Sequence, residues 1–185
     1  ITAAKAVELG YTTDCEGHSV VSDDQIIELM PQDIVVAQNC INDLLAAMKF
    51  TNDILETMYG LSPFYEIEDE GSLIGQLVMG LAPHTSGAVL ARIIGVAAVK
   101  GHYGHPFYHA AKRRNCDGDI DCIMLLMEGL INFSRVFLPK HRGGRMDAPL
   151  TLTTRILPTE IDKEALNVDI SWNYPVEFYE LTQGI

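Results

Sequence analysis

Asp117, Asp119 and Asp121 occupy alternate positions in Asn115-Cys116-Asp117-Gly118-Asp119-Ile120-Asp121, with Gly118 between the first two. On an extended backbone such residues point to one side, about 7 Å apart, and a bend at glycine brings them closer. Two carboxylates about 4 Å apart repel by roughly 4 kcal/mol at an effective dielectric near 20. Water, a proton, basic neighbours or a metal must relieve that repulsion. Hard oxygen donors of this kind suit magnesium, manganese or calcium. Lys112, Arg113 and Arg114 stand just upstream, so cations and anions abut, as a site for metal-bound phosphates requires. Mutual salt bridging accounts for the same juxtaposition without any ligand.

Two more stretches carry chemistry. Residues 101–109 hold His102, His105 and His109 beside Tyr103, Phe107 and Tyr108. Histidines this dense suit metal ligation, base stacking or phosphate hydrogen bonds, and equally the polar rim of a core. Lys140-His141-Arg142-Gly143-Gly144-Arg145 is a second basic stretch, fit for a nucleic-acid backbone, an acidic loop or bare solvent. An EF-hand is a rival for the acidic motif. With Asp117 at position one, acids fall at one, three and five and Glu128 at twelve. Position six is Cys122 where glycine is wanted, which argues against it.

These residues need rigid supports. Ile123, Met124, Leu126, Met127, Leu130, Ile131 and Phe133 predict a helix over 120–133, anchoring the acidic loop. Ile41, Leu44, Leu45, Met48, Leu55 and Met58 predict a helix over 39–59, capped by Gly60. Residues 1–9 predict a helix stopped by Gly10. Residues 73–80 and the small-residue stretch 87–99 predict two more, with Thr85 and Ser86 as N-caps of the second. Residues 26–29, 33–36, 150–155 and 168–172 predict strands, and 16–18 a turn. The acidic run Glu66–Glu70 reads as a solvated loop.

At 185 residues and 48% hydrophobic content the chain suffices for one or two domains with a real core. Its net charge of −12 is unevenly spread. Residues 100–155 hold nine Lys/Arg against five Asp/Glu, and the rest holds four against twenty. A uniformly acidic surface argues against nucleic acid; a basic block around an acidic motif does not. Cys15, Cys40, Cys116 and Cys122 form no C-x-x-C pair, so reduced thiols in a cytoplasmic protein are expected. No apolar run spans a bilayer and no signal peptide opens the chain. It begins at Ile1 rather than methionine, which suggests part of something larger.

The stretch His105-Pro106-Phe107-Tyr108-His109-Ala110-Ala111-Lys112-Arg113-Arg114-Asn115-Cys116-Asp117-Gly118-Asp119 resembles the active-site segment of the large catalytic subunit of archaeal family-D DNA polymerase. Gly80-Leu81-Ala82-Pro83-His84-Thr85-Ser86 agrees upstream. Arg142-Gly143-Gly144-Arg145-Met146-Asp147-Ala148-Pro149-Leu150, Leu152-Thr153-Thr154-Arg155 and Tyr174-Pro175-Val176-Glu177-Phe178-Tyr179-Glu180 agree downstream. The resemblance runs from about residue 25 to 182 and is weaker before that. Ile120 stands where relatives carry a further acid.

The resemblance implies an α+β chain, part of a double-psi β-barrel catalytic core like that of multisubunit RNA polymerases, with several packed helices. Residues 1–38 would be a mixed strand/turn segment, 39–100 a helical segment and 101–185 the barrel segment carrying the acids. Asp117 and Asp119 would hold magnesium, with manganese a possible substitute, for nucleotidyl transfer in DNA replication. Asp121 would be a third ligand or an acceptor behind the other two. Lys112, Arg113, Arg114, Asn115, His105, His109, Arg142 and Arg145 would meet nucleic-acid or triphosphate oxygens, or balance the acids. Implied partners are primer–template DNA, deoxynucleoside triphosphates, the rest of the large subunit, a small exonuclease subunit and a sliding clamp bound elsewhere, with no membrane. A second set of basic residues would come from the family's other barrel, which is not visible here. The alternative is a nucleic-acid-binding or assembly fragment whose acids are salt-bridged.

Overall fold

The computed structural model of this chain describes residues 1–83, 87–112, 114, 118–131, 151–153 and 174–182. Helix α1 (Ala3–Glu8) opens the chain, with the Thr2 hydroxyl accepting from the Lys5 amide. Thr13 bridges Ser19 across the expected turn, where Gly17 takes φ 88°. Strand β1 (Asp33–Ala37) leads through a short 3-10 turn into α2 (Ile41–Tyr59), which ends on Gly60 at φ 64°. Both were expected. Residues 26–29, also expected as a strand, take no regular structure.

Strands β2 (Leu77–Leu81) and β3 (Gly87–Ala97) follow, then β4 (Tyr103–Gly104), α3 (Pro106–Ala111), β5 (Cys122–Leu125) and α4 (Leu126–Leu130). The short β6 (Thr151–Thr153) and α5 (Val176–Thr182) complete the described elements. The strand expected at 168–172 lies outside the described residues.

Three helix expectations are corrected. Residues 87–99 form β3. Covered on both faces, a central strand reads as a continuous apolar run and loses its alternation. Of residues 73–80, the first ends a 3-10 turn (Glu70–Leu73), which Asp69 and Ser72 cap reciprocally, and the last four open β2. Gly75, at φ 93°, then breaks the chain before β2. Residues 122–125 pair with the open edge of β2 and become β5, which leaves only five residues of the expected helix as α4.

One mixed sheet runs β4-β1-β3-β2-β5, with β6 paired to β3. β2 pairs antiparallel along one edge of β3, while β6 and β1 pair parallel with successive stretches of the other. The register slips between Ile34↔Ile93 and Val35↔Gly95, so Ile94 is the extra residue of a bulge. That slip lets Ile93 and Val96 face the same core, opposite Ile34 and Val36, while Ile94 turns to the other face. The larger core sandwiches α2 against the sheet through Ile41, Leu44, Met48, Val78, Ile93, Tyr108 and Leu125. The N-terminal segment covers the opposite face with Ala6, Tyr11 and Val20 around Ile94. No helix among the described residues is long and apolar enough to cross a membrane.

Candidate active site

Helix α3 is the first support of the site. His105 is its N-cap: the ring Nδ1 accepts from the Phe107 amide at 3.1 Å, and Pro106 fills the first turn. Burial lowers the His105 pKa, with Glu28 pulling the other way. Tyr108, His109 and Lys112 project from α3 and its C-cap into the protein, where all three are buried. Gly80 makes room for them, since a Cβ there would lie 1.9 Å from the Tyr108 hydroxyl.

The acidic segment is the connection from α3 to β5. Gly118 takes φ 104°, a left-handed conformation that glycine adopts readily. The following acids are held at three points. The Lys112 ammonium, its side chain wholly buried, donates to Asp121 Oδ2. His102 Nε2 lies 3.2 Å from the same oxygen and 3.2 Å from Lys112 Nζ. With its proton on Nε2 the ring donates to Asp121; with it on Nδ1 it accepts from Lys112. Arg114 Nη2 donates to the Ile120 carbonyl at 2.7 Å. Its Nη1 lies 3.7 Å from Asp119 Oδ2, and its Nε 3.7 Å from Asp121 Oδ1.

Burial raises the Asp121 pKa, but the His102 hydrogen bond and the Lys112 charge outweigh it, so the carboxyl titrates below the usual range. His109 is pushed down to about 4, first by burial and then by Lys112, so its ring is neutral near pH 7. Tyr108 is pushed up, first by burial and then by Asp121. Asp119 differs from Asp121 in exposure, since its side chain is 36% accessible against 8%. It opens on a cleft lined also by Glu28, Asp43, His105 and Glu128. Among the charged residues that line it, carboxylates outnumber Lys100, and clefts of one sign concentrate counter-ions.

The fold thus brings together Asp119, Asp121, Lys112, Arg114 and His109 of the expected residues, with His105 at the rim. Asp117, Arg113, Asn115, Arg142 and Arg145 lie outside the described residues. His102 was not singled out among the three histidines, although it, not His105, reaches Asp121. The dense histidines signalled the stretch, but which ring turned inward depended on β4 and the N-cap. Tyr108 and Glu128 stood in the sequence as an aromatic of the histidine-rich stretch and as position twelve of an EF-hand, and neither was singled out for the site they line here.

Comparison with known proteins gives the family of the chain. The profile of the family described as "DNA polymerase II large subunit DP2, catalytic domain" matches residues 1–185. The chain is similar to the DNA polymerase II large subunit of Pyrococcus furiosus, at 53% identity over 182 residues, covering 98% of this chain and 14% of that protein. It is similar to that of Methanocorpusculum labreanum at 53% over 179 residues, covering 97% and 16%. The subunit of Natronomonas pharaonis is 51% identical over 183 residues, covering 99% and 15%.

Proposed function

The chain belongs to the catalytic-domain family of the DNA polymerase II large subunit, and from that membership we propose that it carries the acidic half of a template-directed DNA polymerase active site. It spans 14–16% of the length of the curated relatives it matches, so the activity is that of a longer protein. The observation that carries the reading is the match along nearly the whole chain, at about half identity, to proteins named as polymerase subunits. In that reading the mixed sheet is part of a double-psi β-barrel, and residues 101–185 are its acid-bearing segment.

Asp117 and Asp119 hold magnesium, or manganese in its place. Donor chemistry supports the fit, since Asp119 offers an accessible carboxylate on an acidic cleft. A divalent ion held by these carboxylates would supply Lewis-acid chemistry, easing deprotonation of the primer 3′-hydroxyl and offsetting charge on the triphosphate and the leaving pyrophosphate. Asp121 acts behind these ligands: it pulls the connection inward through Lys112 and so aims Asp119 outward. Arg114 steadies the same turn through the Ile120 carbonyl. Arg113, Asn115, Arg142 and Arg145 meet phosphate oxygens of the primer–template or the deoxynucleoside triphosphate. His105 and His109 support α3 beneath them. The rest of the large subunit supplies the second barrel, and the small exonuclease subunit and sliding clamp bind elsewhere.

Asp117→Asn with Asp119→Asn in the full-length assembly should lower nucleotide incorporation by on the order of 10³-fold or more, with the fold intact. Retained synthesis would overturn the assignment. The ion pairs of Lys112 with Asp121 and Arg114 with Asp119 favour a second reading, in which the acids only balance the bases. Manganese titration separates the two. The catalytic reading expects affinity that vanishes in the double variant, and the salt-bridge reading expects no affinity in either protein.

A further inference from the structure

His102, His109 and Asp121 present one ligand atom each, all within 4.8 Å of one another. Two imidazoles and a carboxylate are the donor set of a zinc or cobalt site with one open position. All three line one cleft, His102 from just before β4, His109 from α3 and Asp121 from just before β5. A cation already stands in that space. The Lys112 ammonium donates to Asp121 and lies 3.2 Å from His102 Nε2. It also sits 4.3 Å from the centroid of the Tyr108 ring, whose face attracts positive charge. The lysine cannot swing out to solvent easily. It follows directly on α3, its side chain is fully buried, and its stem lies against Gly80.

We propose that Lys112 is a tethered cation that fills the cage of His102, His109 and Asp121 and keeps divalent ions out of it. A second cation beside the ammonium would be repelled at short range, and the Asp121 charge it needs is already matched. The consequence lies two residues away. Imidazole-rich cages bind zinc, cobalt or nickel far better than magnesium. An open cage beside Asp119 would capture such ions and pull Asp121 away from its role behind the acidic turn. The filled cage leaves the exposed oxygens as the local place for a hard ion. Only this last consequence rests on the polymerase reading; the filled cage stands on geometry alone.

The test is cobalt binding by the full-length protein, read as equivalents bound and as visible absorption of a low-symmetry nitrogen–oxygen site. Lys112→Ala should gain one equivalent over wild type, and Lys112→Ala with His109→Ala should lose it again. His109→Ala alone should bind the same number as wild type, a comparison that stands even where the lysine variants fail to fold. A wild-type equivalent lost in His109→Ala would make the cage a true metal site and overturn the proposal. So would a folded Lys112→Ala protein that gains nothing. Manganese affinity in an Asp117→Asn, Asp119→Asn protein is scored separately, so failure of the polymerase reading leaves the cobalt result intact.

Discussion

Asp33 is 3% exposed, and its carboxylate accepts from Arg92 Nε at 2.8 Å and Nη2 at 2.6 Å and from the Tyr11 hydroxyl at 2.5 Å. Parallel register sets Asp33 directly against Arg92. Tyr11, whose pKa is driven up by burial and then by Asp33, brings the N-terminal segment to the sheet. Removing one partner of a buried, hydrogen-bonded charge costs about 3–5 kcal/mol. Asp33→Ala should therefore speed amide exchange in β1 and β3 of the full-length protein by two or more decades. Tyr11→Phe, which leaves the ion pair intact, should cost about 1 kcal/mol. Glu128 makes stability depend on pH. Burial raises its pKa, though the Leu125 amide donates to it and lowers it again in part. The folded state then holds a proton longer than the unfolded one, so its contribution to stability falls as pH rises through the window from the unfolded to the folded pKa. Glu128→Gln should raise the melting temperature at pH 8, and the difference from wild type should close as pH drops below about 4.3.

At the scale of elements, β2 and α3 meet at a glycine. Gly80 lies on the face of β2 that also carries Val78, opposite Val89 of β3, and Tyr108 fills the space a side chain would take. Gly80→Ala must displace the ring, and with it Lys112, whose Cδ lies 3.2 Å from the same point. Overpacking of this kind costs about 1–3 kcal/mol. The variant should lose more activity than that stability loss explains, because the ring supports the lysine that holds Asp121. Tyr108→Leu with Gly80→Ala should recover stability but not activity, measured as melting temperature against nucleotide incorporation. Helix α2 was legible because one face is buried and the other solvated, and a glycine in the left-handed region ends it. β3 was not, since both its faces are covered and its small residues mimic a helix-packing stripe. β5 was captured by the edge of β2, a long-range choice that local propensity does not record.

For the whole molecule, charge and length matter more than any contact. The basic block sits between acidic ends, and the acid-lined cleft lies where the block begins. The chain alone should show little nucleotide incorporation, because it spans only 14–16% of the curated relatives' length and the proposed reading assigns the second barrel to the remainder. Robust synthesis by these 185 residues would contradict that. DNA binding by the full-length protein should weaken steeply with salt, and each phosphate contact removed with Arg142→Ala or Arg145→Ala should lower the salt slope by about 1.

The order of residue types along the chain was enough to single out the acidic motif, its basic escort, the histidine-rich stretch and the α2 boundary. Those signals are local, because capping, periodicity and charge spacing act over a few residues. Tertiary structure alone decided that Asp121 faces inward to Lys112 and His102 while Asp119 faces outward. The choice turns on burial and on a buried ammonium that must find an anion, and these arise only when β5 pairs with β2 beneath α3.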